Sequence, residues 1–212
     1  MCSHRSARLC LALLAGGWLM ACSAPPAPSA PDVAAWRAEK DRYMRESPES
    51  PVPAEARAAF QPLPYYDIDP IYQVPAALTV APGEAVLELP TSTGLKRKMR
   101  KIGSLNFTLK GQALSLSAFV DASTNDVRRL FVPFGDLTNG SETYPGGRYL
   151  DLDRTATGIY DLDFNRAYHP FCVFNAAYDC PYPPRENRLS VPVRAGEKLR
   201  ALTSAAAGPA SE

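Results

Sequence analysis

From Ala85 onward apolar and polar positions alternate with a period of two. Gly103, Leu105, Phe107 and Leu109 interleave with Ser104, Asn106, Thr108 and Lys110; after a turn at Gly111-Gln112 the alternation resumes as Leu114, Leu116, Ala118 and Val120. Successive side chains of a strand point to opposite faces, so these two runs predict a hairpin with one buried face. Further strands are predicted over residues 127–134, 148–153, 159–164 and 188–193, separated by turn formers such as Asn139-Gly140, Pro145-Gly146-Gly147 and Thr157-Gly158. The N-terminal third reads differently. Val33, Trp36, Tyr43 and Met44 share one stripe of a helix started by Asp32, with Arg37, Lys40 and Asp41 largely on other faces, so Trp36 is expected to dock it. A second short helix fits residues 54–60, between Pro53 and Pro62, while Pro64, Pro70 and Pro75 make the aromatic stretch 65–72 extended or edge-like. Short strands without interleaved long helices predict a mainly β fold, an antiparallel sandwich or half-open barrel with one or two short N-terminal helices.

The first residues change the picture from fold to compartment. Arg5 and Arg8 precede an uncharged apolar run from Leu9 to Met20, twelve residues that are too few to span a bilayer. A basic region, a short apolar region and a small residue before the cut point read as a secretory signal over residues 1–21. Its end, Leu19-Met20-Ala21-Cys22, resembles a bacterial lipobox, which implies a diacylglycerol on the Cys22 thiol and a further acyl chain such as palmitate on the new amine. That anchorage exceeds the two signals a stable membrane attachment needs. Ser23 follows the cysteine, and by resemblance to proteobacterial lipoproteins this implies the outer membrane, with the domain on its periplasmic face. Residues 22–31, rich in Pro, Ala and Ser, form a tether; residues 32–202 form a single domain; residues 203–212 read as a frayed tail.

Charge and cysteine usage narrow the partners. The 212 residues hold 23 basic and 22 acidic side chains; without the signal the balance is 21 to 22, a formal charge of −1. Such a chain carries no electrostatic footprint for nucleic acid. Once Cys2 and Cys10 leave and Cys22 is acylated, Cys172 and Cys180 remain. In an oxidising periplasm their simplest state is a disulfide across a short loop.

Polar residues crowd most densely in three segments. The first runs Gly135-Asp136-Leu137-Thr138-Asn139-Gly140 through Gly146-Gly147-Arg148-Tyr149, the second Asp161-Leu162-Asp163-Phe164-Asn165-Arg166-Ala167-Tyr168-His169-Pro170, and the third Pro183-Pro184-Arg185-Glu186-Asn187-Arg188-Leu189 with Ala195-Gly196-Glu197-Lys198. This block resembles the bacterial and archaeal family known as domain of unknown function 1684, most strongly over residues 136–198. The resemblance implies no established activity. His169 stands where that family more often has Asn, which removes any role resting on the amide.

The residues themselves leave several chemistries open. A strand at 159–165 would put Asp161, Asp163 and Asn165 on one face, but as a calcium loop the motif fails: Arg166 stands where Gly is needed and Cys172 where Glu is needed. Those acids then read as a solvated face with Arg148 and Arg166 as counter-charges, and neither metal nor cofactor is expected. The candidate catalytic residues are Asp163, His169 and Glu186; a Cys172/His169 nucleophile would need a free thiolate, and a glycosidase would need a convergent pair among Asp136, Glu142, Asp151, Asp163 and Glu186. Asp136, Thr138, Arg148, Asp163, Asn165, Arg166 and Asn187 are candidates for binding a ligand, or for an internal network that locks loops onto the sheet. The sequence therefore supports a membrane-anchored periplasmic lipoprotein whose domain is a non-catalytic module for an envelope small molecule, glycan or protein. The alternative is a hydrolase with an acidic and histidine site beside Arg148.

Overall fold

The hairpin read from the alternation at residues 103–120 is the spine of the sheet. The computed structural model describes residues 30–200 apart from Glu84 and Asn125, so the signal segment, most of the tether and the tail lie outside the described residues. Strand β3 (Lys96–Leu109) pairs along its length with β4 (Gln112–Asp121). On its other side β3 pairs first with β2 (Val86–Pro90) and then with β1 (Gln73–Val80). Strands β5 (Arg129–Phe134) and β6 (Arg148–Asp153) extend the sheet beyond β4, and β7 (Ile159–Asp163) lies beyond β1. Among the described residues the order is β6-β5-β4-β3-β1-β7, all antiparallel, curled into a nearly closed barrel whose edges are β6 and β7.

One irregularity decides which residues face where. A bulge between Lys101 and Gly103 shifts the register of β3 against β4. After it, Leu105, Phe107 and Leu109 point into the barrel with Leu116, Leu130, Leu150 and Leu162; before it, Met99 joins Leu89 and Phe119 in a second apolar cluster on the outside of the sheet. A bulge inserts one unpaired residue and thereby swaps the faces on either side of itself. Each fully buried leucine of the interior contributes roughly 1.5–3 kcal/mol of transfer free energy.

Helix α1 (Ala30–Glu46) starts two residues earlier than expected, with Asp32 inside its first turn. Val33 and Met44 are buried as the stripe requires, but the residues read as facing elsewhere do much of the docking. Arg37 donates to the carbonyls of Tyr66 and Asn165 at 2.8 and 3.0 Å, Lys40 pairs with Glu197 at 2.6 Å, and Asp41 accepts the Leu63 amide at 2.9 Å. The second helix is a 3-10 segment, Ala54–Ala59. Strand β1 is the main element that the alternation does not disclose. Pro75 lies in it where β7 alone is paired, one residue before the β3 pairing begins at Ala76, so its missing N–H falls outside the β1–β3 ladder.

The strand expected over residues 188–193 does not form. Leu189, Val191 and Val193 are buried as their alternation suggests, yet their backbone bonds go to loops and side chains. Leu189 N donates to Gly135 O, Val193 N to the Asp136 carboxylate, and Val193 O accepts Arg148. Pro192 has no N–H to donate to a ladder.

Candidate functional site

Arg148 opens β6 with its side chain inside the barrel end, fully buried. Gly147, at φ 91°, makes the turn that aims it; a Cβ there would lie 2.6 Å from Phe134 O. The guanidinium pairs with Asp136 at 2.9 Å and donates to the carbonyls of Val193 (2.6 Å), Glu197 (3.0 Å) and Ala195. The other oxygen of Asp136 accepts the Thr138 amide and hydroxyl at 2.9 and 2.6 Å and the Val193 amide at 3.1 Å. Thr138 and Thr143 hydroxyls meet at 2.8 Å. An ion pair this deep holds because its other hydrogen-bonding groups are used, all but the Arg148 Nε–H, and here the partners are the loops themselves. Arg148, Asp136 and Thr138, three candidates for ligand binding, thus come together but face each other and the 193–197 backbone.

His169 lies beside this cluster, only 3% exposed. Its Nε2 accepts the Tyr144 amide at 3.3 Å, its backbone N–H donates to Glu197 at 2.8 Å, and Nδ1 stands 3.6 Å from the same carboxylate. Burial, then the charges of Arg148 and Lys40, lower its pKa to about 3, so the imidazole is neutral. Glu197 is itself fully buried and carries the Lys40 ion pair.

The remaining candidates lie elsewhere. Asp163 is buried instead of standing on a solvated strand face: it caps the 3-10 turn Phe164–Arg166, its Oδ1 accepting the Asn165 amide at 2.9 Å and side chain at 3.0 Å. Asn165 also exchanges two 3.0 Å hydrogen bonds with the Asp69 backbone, and Arg166 faces Asp163 at 3.5 Å. The ion-pair partner of Asp163 among the described residues is therefore Arg166, with Arg37 close by on Asn165 O, while Arg148 belongs to Asp136. Asn187 fills a gap in the sheet. Beyond Phe131 strands β4 and β5 are unpaired, and the Asn187 amide accepts from Ser117 N at 2.7 Å while donating to Ser117 O at 2.8 Å and Pro133 O at 2.7 Å. A side-chain amide here does the work of a strand backbone. Glu186 is exposed and lies 3.9 Å from Lys101. No hydrogen bond or ion pair joins Asp163, His169 and Glu186 among the described residues.

The expected Cys172–Cys180 disulfide is absent; both are free thiols, with Cys180 Sγ accepting the Cys172 amide at 3.2 Å. Burial, followed by the hydrogen bond with Cys172, pushes the Cys180 thiol up to about 12, so it is not a thiolate nucleophile. Among the described residues no three His, Cys, Asp or Glu side chains gather as metal ligands.

An open concavity lined by aromatic rings lies on the outer face of β3–β6, a cleft of about 450 Å³. Met99, Phe131 and Tyr149 line it from the strands, and Tyr168, Phe171 and Tyr178 from the 168–181 segment. Tyr149 hydroxyl donates to Pro181 O at 2.6 Å, which ties the covering segment to the sheet. The rim is charged. Arg97 bonds Asp179 O at 2.7 Å and its carboxylate at 3.3 Å; hydrogen bonds from Thr91 and Thr93 hold Asp179 below the usual carboxylate range. Asp151 accepts the Tyr168 hydroxyl at 2.8 Å; it is open to solvent on one side and crowded by protein on the others, and that desolvation raises its pKa. In the sequence Asp151 is one of five acids open to a convergent pair, and the aromatic lining belongs to no motif. The signal was present: Phe131 and Tyr149 are large apolar residues at outward positions of β5 and β6, where a one-sided strand would be polar.

A curled antiparallel β domain whose polar block forms its own interior, with a ligand-sized cleft outside, is the class that fold and site define. The chain belongs to the family described as protein of unknown function DUF1684, whose model matches residues 58–198. It is similar to an uncharacterised protein of Haloarcula marismortui with a solution NMR structure, at 40% sequence identity over 80% of this chain and 93% of that one, with a TM-score of 0.64. No curated protein matches the chain. Helix α1 precedes the family match, so its clamps on Asn165 and Glu197 are made from outside the matched segment.

Proposed function

We propose that this protein is a non-catalytic binding module, held at the periplasmic face of the outer membrane by acylated Cys22, and that its ligand is a small molecule of the cell envelope. The observation that carries the binding reading is the cleft: its volume of about 450 Å³ falls in the range of small-molecule sites, and its apolar floor carries a few converging charges. The residues a hydrolase would need support this reading by their engagement, since His169 is sealed and neutral and Asp163 caps a turn. The anchorage rests on Leu19-Met20-Ala21-Cys22 and on Ser23.

Two measurements test the two halves. A fragment screen read by NMR shifts should return ligands that perturb Phe131, Tyr149 and Tyr178 and lose binding in Phe131→Ala. Ligands that perturb only other surfaces, or turnover of a screened compound that is lost in Asp163→Ala without loss of folding, would overturn the binding reading. Mass spectrometry of the mature chain should find it starting at a triacylated Cys22, and an unmodified Cys22 or a different start would overturn the anchorage.

A further inference from the structure

The cleft's aromatic geometry and its charges point to one class of ligand. Phe131 and Tyr149 meet at 4.7 Å and 75°, Tyr149 and Tyr168 at 5.7 Å and 90°, and Phe171 and Tyr178 at 5.3 Å and 86°. Rings packed edge to face turn their π faces in different directions, so three perpendicular pairs around one cleft form an aromatic corner, not a flat platform. Tyr149 and Tyr168 have their hydroxyls committed to Pro181 O and Asp151, which leaves their rings as the lining. An aromatic face is electrostatically negative and attracts weakly hydrated cations, each contact strengthening as water is excluded. The molecule uses such contacts elsewhere, with Lys110 over Tyr72 at 4.3 Å. Lys40 lies 4.2 Å from the Tyr168 ring centroid, with its charge balanced by Glu197.

The rim has the matching charge. Arg97, Arg129, Asp121, Asp126, Asp151 and Asp179 line the cleft, two cations against four acids. Most are already engaged: Arg97 with Asp179, Arg129 with Asp153, Asp126 with Arg128, and Asp121 with Ser123. Asp151 accepts the Tyr168 hydroxyl and makes no ion pair within 4 Å among the described residues; Arg129 and Lys40 act on its charge from further off. Both arginines are spoken for, which disfavours an anion; one uncommitted carboxylate among rings is too few oxygens for a hard metal ion. We infer that the cleft binds an alkylammonium solute, its cationic head between the Tyr149, Tyr168 and Tyr178 rings and Asp151, its apolar body on Met99 and Phe131. This assignment rests on the binding reading above.

The probe is choline, titrated into the full chain by calorimetry and NMR, beside its neutral isostere 3,3-dimethylbutanol and the anion benzoate. Choline should bind in the millimolar range or tighter and shift the cleft residues, with the isostere at least about tenfold weaker. Asp151→Asn should lose about tenfold for choline and nothing for the isostere, and Tyr178→Ala should weaken both; unchanged thermal unfolding shows that either variant is folded. Equal binding of choline and isostere, or benzoate binding in the cleft without choline, refutes the ammonium assignment and leaves the binding reading standing. Absence of any probe from the cleft at saturating concentration removes both. Sedimentation with phosphatidylcholine vesicles, without a response to free choline, would overturn the solute in favour of a lipid headgroup.

Discussion

Replacing Arg148 by Met removes the guanidinium but keeps most of the aliphatic volume, so it isolates the polar contribution. The charge it leaves behind is Asp136 Oδ2, 2.9 Å from the missing partner and without access to water. Three carbonyls, of Val193, Ala195 and Glu197, lose their donor as well. Breaking a buried pair from one side costs about 3–5 kcal/mol, and orphaned carbonyls add to it, so a loss of about 4–6 kcal/mol is expected. That is a large share of the 5–15 kcal/mol typical of a domain. Urea unfolding followed by Trp36 fluorescence measures it, and a cycle with Asp136→Asn separates the pair from its surroundings. The second substitution should cost about 2 kcal/mol less in the Arg148→Met background. Because the pair is sealed, neither value should change much with salt. A loss under about 1.5 kcal/mol, or strict additivity in the cycle, would refute the claim that Arg148 is held for the fold.

Four further outcomes follow from the same contacts. His169 has a folded pKa of about 3 against an ordinary 6.5, so the unfolded chain takes the proton first as pH falls; stability is full above 6.5 and should drop by about 1.4 kcal/mol per pH unit from there toward 3. Asp151 and Asp161, whose pKa values burial raises, act with the opposite sign, so the comparison is with His169→Gln, and identical pH slopes in the two chains would refute the assignment. Asn187→Ala orphans Ser117 N, Ser117 O and Pro133 O and should cost about 3 kcal/mol; a cost under about 1 kcal/mol in urea unfolding would mean that the sheet closes without the amide. Gly147→Ala, at φ 91° with its Cβ against Phe134 O, should lower stability by at least about 2 kcal/mol in thermal unfolding, and a neutral result would show that the turn is not constrained. Alkylation of the denatured chain without reductant, mapped by mass spectrometry, should tag both Cys172 and Cys180, with Cys180 slow in the native state; tagging only after reduction would restore the disulfide.

What the sequence discloses and what it hides have separate physical causes. Strands β3, β4, β6 and β7 are legible because their alternation matches burial on one face. The run 188–193 alternates just as well, yet Asp136 and Arg148 take its backbone groups, and alternation carries no information about hydrogen-bond partners. Strand β1 is hidden by Pro75 and by small residues such as Ala76 and Ala77. Arg148 is conspicuous by its place between a glycine turn and a strand, but its partner is Asp136, twelve residues away and across a loop, not Asp161 or Asp163. Arg37 and Lys40 look like a solvated helix face because charged residues usually are one; their targets, Asn165 O and Glu197, lie 128 and 157 residues further along the chain. The cleft needed the bulge at 101–103, which turns Met99 outward beside Phe119, and no periodicity announces a bulge.

The interior network and the cleft are two sides of one backbone pair. Tyr149 and Tyr168 exchange both amide hydrogen bonds, at 2.9 and 3.0 Å. Next to Tyr149 in sequence is Arg148, and next to Tyr168 is His169; both neighbours are buried in the polar interior, while the two tyrosine rings line the outer cleft. In β6 adjacent residues point to opposite faces, and Tyr168, bridged antiparallel to Tyr149, follows the same alternation with His169. Fixing Arg148 and His169 from within therefore fixes the angle at which Tyr149 and Tyr168 meet outside, which prepays the ordering that a ligand would otherwise cost. The two sets of residues should then separate in measurement. Substitutions of Arg148, Asp136 or Asn187 lower stability, and they weaken ligand only as far as they loosen the tyrosine pair. Substitutions of Asp151 or Tyr178 lower affinity with little change in stability, because Asp151 holds only the Tyr168 hydroxyl and Tyr178 packs on Phe171 at the rim.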